Sequence, residues 1–175
     1  VFSYEESYGY MLGDYVRDKD AVTASLLLTE MAAWYQSQGM TLFDALQALY
    51  EKYGYYGEKT HNLVMPGLDG LEKMAALMKN LRDVPPTEIA GVAVTARTDY
   101  KDGTITDCKT GKVTASELKG SNVLRYTLAD GTVILVRPSG TEPKIKVYIL
   151  TLGKDAGERD ANIEKYSQWA LALQN

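Results

Sequence analysis

The sequence predicts an α+β protein, with a mainly helical N-terminal region followed by an antiparallel sheet that carries two helices on one face. Two helical apolar patterns occupy the region before Gly54. Short alternating apolar segments follow, and Asp130-Gly131 between two of them is typical of a β-hairpin turn. One helical segment precedes these strands and another follows them, an order that favours a sheet with one face covered.

The N-terminal region predicts two helices. Asp18 or Asp20 can cap the first helix. Its segment, residues 21–39, is apolar around much of its circumference, so we expect most of it to be buried. Thr41 and Asp44 have the spacing of a capping box at the start of the second helix.

The remainder predicts a second domain. Residues 55–67 predict an extended segment that ends at Pro66-Gly67, and we predict a domain boundary after residue 66. Residues 104–121 predict a loop. Beyond the boundary the patterns predict a helix at 71–81, four strands at 92–96, 123–128, 132–136 and 144–152, and a final helix from about 155.

Composition narrows the classes of function. The net charge of −4 argues against bulk binding of nucleic acid. No run of apolar residues reaches the ~18 that a membrane span needs. The single cysteine, Cys108, cannot form an intramolecular disulfide, which fits a reducing compartment. We therefore expect a cytoplasmic protein with no nucleic-acid partner and no membrane partner.

The loop inside LVRPSGTEPKIKVYI is dense in hydrogen-bond donors. Arg137 stands at a strand end, where its guanidinium can grip two phosphate oxygens. Ser139 and Thr141 offer hydroxyls, and Gly140 lets backbone N–H groups come close to a ligand. Glu142 would repel an anion, so it is expected to point away, toward a backbone donor or a cation. The residues alone leave a rigid turn and an anion-binding loop about equally favoured.

Three stretches resemble one enzyme family. VRPSGTEPKIKVY is very similar to the phosphate-binding loop of the α-D-phosphohexomutases, the family of phosphoglucomutases and phosphomannomutases. SYEESYGY resembles that family's sugar-binding loop in its Glu-x-Ser form, and RDKDAV resembles the segment after it. SNVLRYTLADGTVILVRPSGTEP resembles the C-terminal domain. The likeness covers nearly the whole chain, with the two binding motifs in the expected order.

The resemblance implies roles for particular residues. Glu5 and Ser7 match positions that hydrogen-bond sugar hydroxyls, although the residues alone more often indicate a solvated loop. Lys19 matches a cation that lines the same cleft. Four residues match the loop that holds the substrate's non-reacting phosphate: Arg137, Ser139, Gly140 and Thr141.

The family's reacting groups have no counterpart in this sequence. It contains neither a Ser-His-Asn-Pro loop for a phosphorylated serine nor an Asp-x-Asp-x-Asp magnesium loop. We predict that the single histidine, His61, is a linker residue and not a catalytic one. We assign no catalytic and no metal residue here, and the resemblance implies Mg²⁺ in the full-length enzyme only. Residues 1–66 would then be the end of domain III, a mainly helical remnant of an α/β domain, and residues 67–175 all of domain IV.

The resemblance implies the positioning part of a phosphoglucomutase, an isomerase that interconverts glucose 1-phosphate and glucose 6-phosphate through a bisphosphorylated sugar. The partners would be a phosphorylated hexose and the missing N-terminal domains, so this chain alone is expected to be inactive. A phosphomannomutase or other phosphosugar mutase and a free-standing phosphosugar-binding module are the alternatives. The apolar first helix would lack partner surface, so we expect the chain to dimerise or its N-terminal segment to be disordered.

Overall fold

The computed structural model describes residues 2–5 and 8–174. The chain forms two compact units, Val1–Tyr53 and Gly54–Asn175, called here the first and second units. None of the helices in the described part of the chain has the length and apolar composition that a membrane span requires.

The first unit contains a two-stranded antiparallel hairpin and two helices, with the bounds β1 Phe2–Tyr4, β2 Tyr10–Leu12, α1 Ala21–Ser37 and α2 Leu42–Tyr53. Both predicted helix starts are present. The Asp20 carboxylate accepts from the Val22 N–H at 2.9 Å. The Thr41 hydroxyl accepts from the Asp44 N–H at 3.1 Å, and the Asp44 carboxylate accepts from the Thr41 N–H at 2.8 Å.

The burial predicted for α1 is wrong, because no residue of this helix is buried. Val22 is 78% exposed, Leu26 is 59% exposed and Trp34 is 60% exposed. The physical reason is the size of the first unit. A short hairpin and one further helix cannot cover a helix that is apolar around most of its circumference.

The second unit is an eight-stranded sheet with two helices. The strand order is β3-β10-β9-β8-β5-β6-β7, every pairing is antiparallel, and the short β4 pairs with β5 outside this path. The element bounds are β3 Tyr55–Val64, α3 Gly70–Asp83, β4 Glu88–Ile89, β5 Val92–Asp99, β6 Thr104–Asp107, β7 Val113–Ala115, β8 Leu124–Leu128, β9 Val133–Pro138, β10 Lys144–Gly153 and α4 Ala156–Ala172.

One face of this sheet forms the core. In β10 the odd-numbered residues are buried and the even-numbered residues face the other side, as the period of a strand requires. Both helices add side chains to the same cluster, so the α+β class and the two helices on one face are confirmed. The helix residues in that cluster are Met78, Leu81, Tyr166 and Ala170.

The structure differs from three of the predictions. The sheet has eight strands rather than four, partly because β6 and β7 lie in the segment predicted as a loop. The division of the chain falls between residues 53 and 54, not after 66, because β3 pairs with β10 along its whole length. His61 is therefore a strand residue and not a linker residue, and its Nε2 lies 2.8 Å from Oγ of Ser167 on α4.

Candidate functional site

The predicted phosphate loop joins β9 to β10 in the second unit. Arg137 is exposed near the end of β9 and is the register partner of Lys146. Both residues lie on the sheet face opposite to the one that packs against α3 and α4, since their neighbours Val136 and Val147 are buried in the core. A strand fixes the backbone of Arg137, so its guanidinium begins from a defined position. That guanidinium makes no hydrogen bond or ion pair with any residue that the structure describes.

Ser139 shapes the turn itself. Its Oγ accepts from the backbone N–H groups of Thr141 at 3.4 Å and Glu142 at 3.3 Å, and its own N–H donates to the Lys144 carbonyl at 2.9 Å. A hydroxyl that accepts can still donate its hydrogen to an anion. A Cβ added to Gly140 would meet nothing within 4 Å, so this side of the loop is open.

Glu142 forms an ion pair with Lys144. The hydrogen bond from Lys144 lowers the pKa of the Glu142 carboxyl below its usual value. The carboxylate is therefore ionised, and its charge is compensated within the loop. A cation is one of the two partners that the sequence predicted for Glu142.

The loop is anchored to the start of α3. The Pro143 carbonyl accepts from the Met65 N–H at 2.8 Å, which ties the loop to the end of β3. A Cβ on Gly70 would lie 2.2 Å from the Met65 carbonyl oxygen and 3.0 Å from Cβ of Pro143. Only a residue without a side chain allows this approach, so Gly70 lets the start of α3 pack directly against Met65 and Pro143.

Sequence reasoning missed Arg125 as a neighbour of the loop. Arg125 on β8 is the register partner of Leu135, two residues before Arg137 on β9. Diagonal neighbours of this kind lie about 7–8 Å apart on one sheet face. Together with Lys146 they make this face cationic beside the loop. The alternation of each strand places these residues on one face, but the pairing of the strands is not visible in the sequence.

The predicted sugar-contacting residues lie in the first unit. Glu5 follows β1, and its Oε2 is 3.7 Å from Nζ of Lys19, which is also 3.3 Å from a carboxylate oxygen of Asp18. The hydrogen bond and charge of Asp18, and then the charge of Glu5, raise the pKa of Lys19. Gly9 makes room for this contact, because a Cβ there would lie 2.1 Å from Cδ of Lys19. Ser7 lies outside the described residues.

An open cavity of about 280 Å³ lies against this group of side chains. Arg17 and Lys19 supply cations to its lining, and Glu5 and Asp18 supply carboxylates. Carboxylates accept hydrogen bonds and cations donate them, so this lining can meet both functions of a hydroxyl group.

The described residues do not fit a magnesium site. Across residues 2–5 and 8–174, no group of three or more histidine, cysteine, aspartate or glutamate side chains could hold a metal ion.

The fold and the loop define a class of protein. The chain belongs to the phosphoglucomutase/phosphomannomutase family. The family's C-terminal domain matches residues 62–150, and its alpha/beta/alpha domain III matches residues 1–53.

Two of the relatives that the chain resembles are phosphoglucomutases. The chain is 39% identical over 168 residues to a phosphoglucomutase of Staphylococcus haemolyticus, covering 96% of this chain and 29% of that protein. It is 39% identical over 151 residues to a phosphoglucomutase of a bovine Staphylococcus aureus strain, covering 85% of this chain and 27% of that protein. The chain thus spans less than a third of the length of these relatives.

A solved structure has a similar fold. The open form of the Paramecium phosphoglucomutase parafusin gives a TM-score of 0.58 at 16% identity, covering 97% of this chain and 29% of that one. At this identity the likeness concerns the fold alone.

Proposed function

We propose that this chain is the C-terminal, substrate-positioning part of a phosphoglucomutase that interconverts glucose 1-phosphate and glucose 6-phosphate through a bisphosphorylated sugar. The relatives named phosphoglucomutase support this proposal. The observation that carries it is the exposed guanidinium of Arg137, held at a strand end beside an open loop. In this proposal Arg137, Ser139, Gly140 and Thr141 bind the non-reacting phosphate.

The loop contributes position and charge. Phosphoryl transfer depends mainly on holding the reacting groups in line and on stabilising their charge. A guanidinium can bind two phosphate oxygens at once. The negative charge of Glu142 is compensated by Lys144, so it does not oppose a bound phosphate. Pro138 and Pro143 restrict the loop, so less conformational entropy is lost on binding.

The sugar is assigned to residues of the first unit. We propose that Glu5, Ser7 and Lys19 contact sugar hydroxyls, with the Glu5 carboxylate accepting and the Lys19 ammonium donating. The phosphoserine and Mg²⁺ belong, in this proposal, to other domains of the enzyme. Mg²⁺ when bound there would neutralise phosphate charge. A cytoplasmic location remains a prediction.

Titration calorimetry of the full-length enzyme with glucose 1-phosphate tests the proposed phosphate site. One charge-assisted contact is worth roughly 1.5–3 kcal/mol, so Arg137→Ala should weaken binding about tenfold to hundredfold. Arg137→Lys should recover only part of the loss, because lysine keeps the charge but not the planar fork. Lys146→Ala is the matched control on the neighbouring strand and should have the smaller effect, because its ammonium is a flexible point charge.

Thermal melting accompanies the calorimetry. Arg137 is exposed, so its replacement should leave the melting temperature nearly unchanged. If the folded Arg137→Ala variant of the full-length enzyme binds glucose 1-phosphate like the unchanged enzyme, the loop is only a rigid turn and the proposal is wrong.

A further inference from the structure

A second polar cavity lies on the helix-bearing face of the sheet in the second unit. Its volume is about 320 Å³, and the last turn of α3 closes one side of it. Its floor is made by two rows of register partners across β8, β5 and β6: Tyr126–Arg97–Thr106 and Leu124–Asp99–Thr104. Tyr126 belongs to the core, whereas Arg137 lies on the opposite face of the same sheet. This cavity is therefore separate from the proposed phosphate loop.

Asp99, the acidic residue at the centre of the cavity floor, is already paired with Arg82. The Asp99 carboxylate accepts from Nε of Arg82 at 2.7 Å and from its Nη2 at 3.3 Å. It also accepts from the Lys101 N–H at 2.9 Å. Nη2 of Arg82 donates further to Oδ1 of Asn122 at 2.6 Å. The Arg82–Asp99 pair thus compensates its own charges.

Arg97 differs from Arg82 in this respect. It is half-buried between Tyr126 and Thr106 in the floor, yet its guanidinium makes no hydrogen bond or ion pair with any residue that the structure describes. Burial raises the pKa of the Tyr126 phenol, so this neighbour stays neutral and supplies no counter-charge. No described carboxylate lies within ion-pair distance of this half-buried guanidinium, and an anion in the cavity would offset the cost of its partial desolvation.

The remaining lining favours a small, singly charged ligand. Thr104 and Thr106 are half-buried on the same face and offer hydroxyl donors beside Arg97. Asp83 is compensated by its ion pair with Lys79, and the exposed Asp102 in the lining repels a doubly charged anion more strongly than a singly charged one. We propose that this cavity binds a small singly charged oxyanion, such as the carboxylate of a small molecule, through the Arg97 guanidinium and the hydroxyls of Thr104 and Thr106.

Nitrogen-15 NMR on the whole chain tests the proposal directly. The Nε–H signal of Arg97 and the amide signals of Thr104 and Thr106 should shift saturably when acetate is added, and not with chloride at equal ionic strength. Inorganic phosphate is the second probe, at pH values where it is mainly singly or mainly doubly charged. The singly charged form should bind the cavity more tightly, which separates a carboxylate-sized monoanion from a general phosphate site.

Variants assign the binding to Arg97. Arg97→Gln should weaken acetate binding about tenfold or more, because one charge-assisted contact is lost. Thr106→Val, which removes one neutral donor, should weaken it less. Arg125→Gln removes an arginine from the opposite face and should leave acetate binding unchanged. Arg137→Ala should do the same, so this test can fail or succeed independently of the proposed phosphate loop.

Several outcomes would overturn the inference. The unchanged chain decides it without any variant: if acetate produces no saturable shift at Arg97, Thr104 and Thr106, the guanidinium is merely hydrated. Shifts that chloride reproduces would mean ionic-strength effects alone. Saturable shifts that persist in folded Arg97→Gln would mean that the anion binds elsewhere.

Discussion

Gly70→Ala should destabilise the second unit although alanine is the better helix former. Gly70 is the first residue of α3, and its bare Cα faces the end of β3 and the end of the phosphate loop. The added Cβ would lie 2.2 Å from the Met65 carbonyl oxygen, whereas ordinary contact begins near 3.4 Å. The obstacle is backbone that is itself tied to the loop by the hydrogen bond to the Pro143 carbonyl, so it cannot simply rotate away.

Two opposing effects decide the magnitude. Replacing glycine by alanine gains at most about 1 kcal/mol from helix propensity and reduced freedom of the unfolded chain. Forcing extra volume into a packed site costs about 1–3 kcal/mol and sometimes more. A displacement of roughly 1 Å against backbone belongs at the upper end of that range. We therefore expect a net loss of about 1–2 kcal/mol.

Gly157→Ala is the matched control. Gly157 is the second residue of α4, and an added Cβ would meet only Oδ1 of Asp155, at an ordinary 3.4 Å. We expect this variant to gain about 0.4–1 kcal/mol. The two substitutions are chemically identical and both lie in the first turn of a helix, so their difference measures the clash at Gly70.

Urea unfolding followed by tryptophan fluorescence measures both free energies of unfolding. The chain has two tryptophans, and only Trp169 packs against the core of the second unit. A Trp34→Phe background leaves Trp169 as the reporter. If Gly70→Ala matches or exceeds the stability of Gly157→Ala, the contact between α3 and the loop relaxes without cost and the predicted clash does not exist. If the clash acts as described, Gly70→Ala should also weaken glucose 1-phosphate binding, because the displaced backbone carries Pro143.

Two further predictions concern pH and activity. Burial lowers the pKa of His61, so the native state favours the neutral imidazole and the unfolded state binds more protons. The free energy of unfolding should therefore fall as pH falls through and below the usual histidine pKa near 6.5. Urea unfolding measured from pH 7.5 downward should show a flatter pH dependence for His61→Gln than for the unchanged chain. An equal slope in the variant would contradict this, since the chain has no other histidine. The purified chain with Mg²⁺ and a bisphosphorylated glucose should not convert glucose 1-phosphate in a coupled assay, and turnover above that of a blank preparation would show that reacting groups were overlooked.

Local patterns predicted the elements that depend on local chemistry. The strand from Lys144 follows from strict alternation, and the start of α4 follows from Asp155, whose carboxylate accepts from the Glu158 N–H at 2.8 Å. The strands at 104–107 and 113–115 were missed because they are short, threonine-rich and largely unburied. The first has Ile105 as its one apolar residue and the second is only three residues long, so period alone cannot distinguish them from a loop.

Nonlocal pairing accounts for the remaining differences. Pro66-Gly67 indicated a boundary because it is a real turn, yet the strand before it belongs to the second unit through pairing with the far end of the chain. The loop residues of the candidate site could be listed from the sequence alone. That Arg125 lies diagonal to Arg137 could not, because the register between β8 and β9 decides it. The cavity at Arg97 could not be predicted either, because its floor depends on the register of three strands, β8, β5 and β6.

The pairing of β3 with β10 also sets an order of assembly. Val64 meets Lys144, which follows it by 80 residues, so the earliest strand of the second unit must wait for the latest one. Contacts this distant in sequence slow folding and leave a strand edge unpaired during synthesis. The loop at Arg137 hangs between β9 and β10, and its anchor at Met65 lies at the end of β3. A nascent chain that stops before residue 144 already contains every residue of the phosphate loop up to Pro143. We expect this nascent chain to remain sensitive to protease from Tyr55 onward, because β10 has not yet been made. Protection of that segment before β10 emerges from the ribosome would show that the sheet assembles in another order.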